Sequence, residues 1–146
     1  MFKKILVPLD GSKVSLKELD FAKEIGMKFS STLFITTIID PKIDVPAGIP
    51  PVGAVAPVQA ELDARENAKR IIEDAKTQLS NNDILANYTI VSGVASQEIA
   101  TNLPKKNDID LILIGRSGKN ALEQLVVGSV TKYVMQHAEV PVLVIE

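Results

Sequence analysis

Aliphatic residues gather in five short runs, at positions 4–9, 32–39, 86–91, 109–114 and 140–145. The first, fourth and fifth are almost unbroken Ile, Leu and Val, the pattern of strands covered on both faces. Between the runs the period changes. Leu16, Leu19, Ala22 and Ile25 recur every three residues within 14–28 while charges fill the other positions. Ala64, Ala68, Ile71, Ala75 and Leu79 form a comparable stripe within 59–79. Both patterns predict amphipathic helices, the second stopped by Ser80-Asn81-Asn82-Asp83. A shorter helix is expected over 96–103, cut off by Pro104, and a last one over 127–137, closed before Pro141.

Strand alternating with helix predicts a single α/β domain with an open five-stranded parallel sheet and helices on both faces. Right-handed crossovers restrict the topology, but periodicity does not choose the strand order. One segment departs from the rhythm. Residues 40–58 hold five of the eight prolines and two of the eight glycines. A connection of that length reads either as a lid or binding loop, or as a mobile or disordered stretch. The segment before it is too short to fold alone, so it is not an interdomain linker.

The totals narrow the function classes. A chain of 146 residues suits one domain with its own core. Net charge is −2 with no basic face, against a nucleic-acid partner. Cysteine is absent, which excludes disulfides, thiolate catalysis and cysteine metal sites. The single His137 excludes any two-histidine site, and its place in the last helical turn suits the helix dipole. No apolar run approaches the ~20 residues that span a bilayer. The run after Lys3-Lys4 stops at Asp10, too short for a signal core. The expectation is a soluble, cytoplasmic protein without a membrane partner.

Ligands of doubly wound sheets sit at the carboxyl ends of the strands, where the winding reverses. Three features fall there: Pro8-Leu9-Asp10-Gly11-Ser12, then Ile38-Ile39-Asp40, then the stretch from Gly115 to Ser129. Gly115 and Gly118 allow a tight turn with exposed N–H groups, a concavity that attracts anions. Gly128-Ser129 opens the final helix, whose unpaired N–H groups and dipole favour a phosphate, with the Ser129 and Thr131 hydroxyls beside them. Each piece alone has a plainer reading: turn glycines, an N-cap serine, and an aspartate that turns the chain. Together, at the ligand end of the sheet, they favour an anion site. A Walker loop is excluded, because Leu113 holds the earlier glycine position and Asn120 stands where Ser or Thr is needed. G-x-G-x-x-G occurs nowhere, which argues against a hydride-transfer enzyme.

Gly115-x-x-Gly118, nine residues, then Gly128-Ser129 resembles the G-x-x-G-x9-G-[ST] nucleotide motif of the universal stress protein family. Residues 3–12, 108–120 and 127–146 are similar to the family's first strand and loop, fourth strand, and last helix and strand. The likeness covers essentially the whole chain and is weakest in the proline-rich segment. It implies a Rossmann-like, adenine nucleotide α-hydrolase-like fold with strand order 3-2-1-4-5. It further implies bound ATP, with Mg or Mn as accompanying ion. Pro8 and Asp10 would border the adenosine, with Asp10 near the ribose, and Ile38 would hold the adenine. Gly115, Arg116, Ser117 and Gly118, with Gly128, Ser129, Val130 and Thr131, would wrap the ribose and phosphates. Arg116 has a plainer reading as a solvated loop arginine.

The strand at 140–145 has no covering element after it. As an edge it invites pairing with a second copy, although a loop of the same chain could bury it. The resemblance implies a homodimer through this strand and a regulatory stress-response role, with at most slow ATP hydrolysis. Two rivals stand. An ATP-using ligase or transferase of related fold would carry S-G-G-x-D-S or H-x-G-H near the first strand, where this chain has Leu9-Asp10-Gly11-Ser12-Lys13. A nucleotide-independent dimeric interaction module would act through its surface alone.

Overall fold

The computed structural model describes residues 1–41, 55–80, 83–117 and 126–146. In chain order they form β1 (Lys4–Pro8), α1 (Lys13–Phe29), β2 (Thr32–Ile39), α2 (Val55–Leu79) and β3 (Leu85–Ser92). Then come α3 (Ala95–Gln97), a π-helical turn (Glu98–Asn102), α4 (Leu103–Asn107), β4 (Leu111–Gly115), α5 (Ser129–His137) and β5 (Val142–Ile145). The strands pair in parallel in the order β3-β2-β1-β4-β5. This is the order the family resemblance implies.

The unbroken apolar runs are explained by what lies on each face. Ile5 and Val7 of β1 face one core, with Leu33, Ile35 and Leu113 from the neighbouring strands, Leu19 and Ala22 of α1, and Ile72, Ala75 and Leu79 of α2. Leu6, between them, faces the other core, with Ile112 and Ile114 of β4, Ile99, Ala100 and Leu103, and Val134 of α5. Successive side chains point to opposite faces, so a strand with a core on each side must be apolar throughout. At the opposite end of the sheet from the strand termini, the Asp110 carboxylate accepts the N–H groups of Lys3 (2.7 Å) and Lys4 (3.1 Å), tying β1 to β4.

Two expectations need correction. Pro104 does not end a helix: the helical backbone runs through it, and Leu103 N–H reaches back to the Glu98 carbonyl in a π turn. Proline has no N–H to give, and its ring would crowd the carbonyl four residues earlier in a regular α-helix. The widened turn just before it removes that conflict. The true stop is Asp108, left-handed at φ 53, whose N–H closes on the Pro104 carbonyl. The stripe on α1 is also rotated from the one read in the sequence. Its buried residues are Ser15, Glu18, Leu19, Ala22 and Gly26, whereas Leu16 is half-exposed. At the proline-rich segment, α2 begins at Val55, and the lid reading of residues 42–54 lies outside the described residues.

Candidate functional site

The ladder between β1 and β4 is short. It pairs Ile5 with Leu111 and Leu6 with Ile112, and no further pair follows. β1 ends at Pro8, which has no N–H to donate. The chain after β1 crosses to the face of α1, and the chain after β4 returns as α5 on the opposite face. The strands therefore part at the point where the winding reverses, and a cleft of about 120 Å³ opens there.

Ile38, Ala95, Ile99, Ile114 and Val130 give the cleft an apolar wall, all from the α3–α5 side of the sheet. Asp10, Ser12, Glu18, Ser117 and Thr131 give it polar groups, and Pro8, Leu9, Thr36 and Gly115 complete the lining. The sequence-predicted Pro8, Asp10, Ile38, Gly115, Ser117, Val130 and Thr131 thus meet in one crevice. Gly118 lies outside the described residues.

The two described motif glycines do different work from the free amides expected of them. Gly115 is the last residue of β4. The N–H groups of Ile112 and Arg116 donate to Pro141 (2.9 Å) and Ile145 (2.7 Å) on the β5 side. By alternation the Gly115 N–H points the other way, toward the gap beside β1. There it donates to Glu18 Oε2 at 3.0 Å, and the Gly115 carbonyl accepts the Thr131 hydroxyl at 2.7 Å. A Cβ on Gly115 would stand 2.7 Å from Val14 Cγ1 and 3.3 Å from Glu18 Oε2. Glycine is required here so that α1 can approach β4.

Gly128 is the N-cap of α5, and its own N–H donates to the Arg116 carbonyl at 2.9 Å. The first helical bond is Lys132 N–H to the Gly128 carbonyl, also 2.9 Å. Helix geometry therefore leaves the amides of Ser129, Val130 and Thr131 without an intrahelical acceptor. The open donors are those of the first turn, one step beyond the glycine. Ser129 occupies the first helical position and is exposed. The Thr131 hydroxyl directs its proton to the Gly115 carbonyl.

Arg116 is not part of the cleft lining. Its guanidinium meets the Glu146 carboxylate at 2.5 Å in a separate hollow bordered by Val14, Lys17 and Ser117. The guanidinium is mostly enclosed rather than solvated, held by a pair near the chain's last strand. His137 stacks on Tyr133 (centroids 3.9 Å, interplanar angle 14°) with Nδ1 at 2.9 Å from the Tyr133 carbonyl, also away from the cleft.

Asp10 is exposed, and its Oδ1 accepts the Ser12 N–H at 2.9 Å. Gly11 between them has φ 77, a left-handed conformation that disfavours side chains. Ser12 then caps α1, its hydroxyl oxygen accepting from Ser15 N–H at 3.2 Å. The turn reading of Asp10 and its position in the cleft therefore hold together.

Glu18 was not anticipated. It is 2% exposed, lines the cleft, and lends one carboxyl oxygen to Gly115. The other, Oε1, has no hydrogen-bond partner. Burial pushes this carboxyl well above its ordinary 4.5; the Gly115 N–H opposes the shift and the Asp10 charge adds to it. One signal was available. Ser15, Leu19, Ala22 and Gly26 trace a helical face at intervals of three and four, and position 18 falls on it. Among the described residues no group of three or more His, Asp or Glu side chains gathers as a metal would require.

Comparison with known proteins agrees with this fold. The family model described as "Universal stress protein family" matches residues 1–146. The chain is 30% identical over 146 residues to universal stress protein MJ0531 of Methanocaldococcus jannaschii, covering 100% of this chain and 83% of that one. Among solved structures it is similar to universal stress protein UspA from Lactobacillus plantarum, with TM-score 0.83, 27% identity, and 99% and 98% of the two chains covered. A universal stress protein solved in complex with cAMP shares the fold at TM-score 0.72 and 21% identity, covering 99% and 97%.

Proposed function

The chain belongs to the universal stress protein family, and from that premise we propose that the cleft between β1 and β4 binds an adenine nucleotide, ATP, in a regulatory role. The observation that carries this reading is the pairing of opposites in one crevice. An apolar wall of Ile38, Ala95, Ile99 and Ile114 suits a flat base. Beside it, the first turn of α5 has amides without intrahelical acceptors, suited to phosphate oxygens. Asp10, on the loop between them, is a carboxylate able to accept ribose hydroxyls. The family likeness adds support, as does a relative of the same fold that holds cAMP.

In this reading Pro8, Asp10 and Ile38 border the nucleoside. Gly115, Ser117 and Gly118 lie along one side of the phosphates, and Gly128, Ser129, Val130 and Thr131 along the other. Arg116 reaches a phosphate only by leaving Glu146. A Mg or Mn ion arrives on the phosphates themselves, which bring most of its ligands. Bound ATP turns over slowly at most, because among the described residues no committed base stands at the proposed phosphate site to activate water. Among the described helices none is long and apolar enough to cross a membrane, consistent with the proposed cytoplasmic setting.

Calorimetric titration with ATP and with GTP tests the proposal. Saturable heat with ATP is the expected result, and the absence of heat with either nucleotide contradicts it.

One further observation bears on partners. Among the described strands β5 is an edge bonded to β4 alone, and Leu143 on it is 37% exposed. We propose a two-fold dimer through this edge. A molar mass of two chains in light scattering is expected, falling to one when Leu143 is replaced by Lys.

A further inference from the structure

The N–H groups of Ile112 and Arg116 find β5. The Gly115 N–H faces a gap that β1 has already vacated, and a side chain, not a strand, answers it. Glu18 comes from α1, on the far side of that gap, and places Oε2 at 3.0 Å. Oε1 is shielded from solvent and without a partner, on a side chain that lines the same crevice. A buried polar atom with no partner is destabilising unless something else supplies the missing bond. Here the missing partner would sit where the proposed phosphates and ribose lie.

The surroundings decide which form of the carboxyl fits. From the β1–α1 loop comes the negative Asp10. β4 contributes one neutral N–H, and α5 contributes Thr131, whose hydroxyl proton is already given to Gly115. Among the described residues no Lys or Arg lines the cleft, and Arg116 and Lys17 border the separate hollow with Glu146. An anion is therefore poorly matched to this position, and a neutral carboxylic acid well matched. Its Oε2 accepts from Gly115 and its Oε1–H has one bond to give.

We propose that Glu18 is a further binding group of the cleft: in its neutral form it donates through Oε1 to an oxygen of the bound nucleotide, and binding therefore requires its proton. This rests on the nucleotide reading above and adds a proton to it. Ionised Glu18 would set a second negative charge beside Asp10 and against the phosphates, and the ligand would be repelled. Ligand affinity is thereby linked to pH through a residue of α1 that reads from sequence as one more helix charge.

The test is calorimetric titration of ATP at pH 6 and pH 9 into the parent protein, Glu18→Gln and Glu18→Ala. Gln keeps an N–H donor that does not titrate; Ala keeps none. Phosphate ionisation of the ligand is common to all three and cancels in their comparison. The expected result has parent and Glu18→Gln equal at pH 6, with Glu18→Ala weaker by about tenfold, the size of one hydrogen bond to a charged group. As pH rises into the range where Glu18 ionises, the parent falls to or below Glu18→Ala, while Glu18→Gln changes only as Glu18→Ala does. Parallel curves for parent and Glu18→Gln overturn the proposal and leave the nucleotide site standing, as does Ala binding like the parent. No ATP binding by any of the three overturns both. A thermal melt of each variant separates lost binding from lost fold.

Discussion

Two carboxyls meet at the cleft, and the fold treats them in opposite ways. Asp10 stands in solvent on a turn that its own Oδ1 helps to build through Ser12. Glu18 is enclosed by α1 and β4, with one oxygen on Gly115 and the other unpartnered. The same chemical group is a surface anion in one place and, by burial, an acid that resists ionisation in the other. The difference comes from the supporting element rather than the residue. A loop at a strand end keeps its side chains wet, whereas a helix pressed onto a glycine draws its inner face dry.

The largest test of that contrast is stability against pH. Folded Glu18 holds a proton that the unfolded chain releases near the ordinary value of 4.5. As pH rises above that value the unfolded state is favoured, until the folded group also ionises. The parent should lose about 1.4 kcal/mol per pH unit in this window relative to Glu18→Gln, which has no proton to release. Urea unfolding of both at several pH values measures it; equal slopes would put Glu18 in the same class as Asp10. Next, Gly115→Ala places a Cβ 2.7 Å from Val14 Cγ1 and forces α1 away from β4. A loss of about 1–3 kcal/mol is expected from such overpacking, read as a lower melting temperature.

Thr131→Val keeps the shape but removes the donor to the buried Gly115 carbonyl, with an expected loss of about 1–2 kcal/mol by the same measurement. Asp10→Asn sharpens the comparison from the other side. Asn can still accept from Ser12 N–H, so stability should move by less than about 0.5 kcal/mol. ATP affinity should nevertheless fall, by about tenfold in calorimetry, when the charged acceptor for ribose is gone. A stability loss without an affinity loss would make Asp10 a turn residue only.

The same contrast marks what the sequence disclosed. Strands with a core on each face are unbroken aliphatic runs, so β1 and β4 stood out, β5 read the same way although Leu143 on it is exposed, and strand order came through the family likeness rather than periodicity. Asp10 was legible because it directly follows a strand, where any parallel sheet exposes its loops. Glu18 was hidden among the lysines and acids of α1, and a stripe counted from Leu16 put it on the wrong side of the helix. Gly115 was found for the wrong reason. Its lack of a side chain serves the approach of α1, which no local pattern reveals. Pro104 misled in the other direction, because a π turn that absorbs a proline depends on packing by Ile99, Ala100 and Leu103 rather than on propensity.

The claim on which the rest depends is that the nucleotide lies in the gap between β1 and β4. Amide chemical shifts of the isotope-labelled protein, followed as ATP is added, test it most directly. The account predicts that the largest movements fall on Ser117, Val130, Thr131 and Gly115, with Ile38 and Ala95 following and the α2 face still. Shifts centred on the second hollow, lined by Ser15 and Leu19 of α1 and Arg70 and Ile71 of α2, or none at saturating ATP, would contradict it.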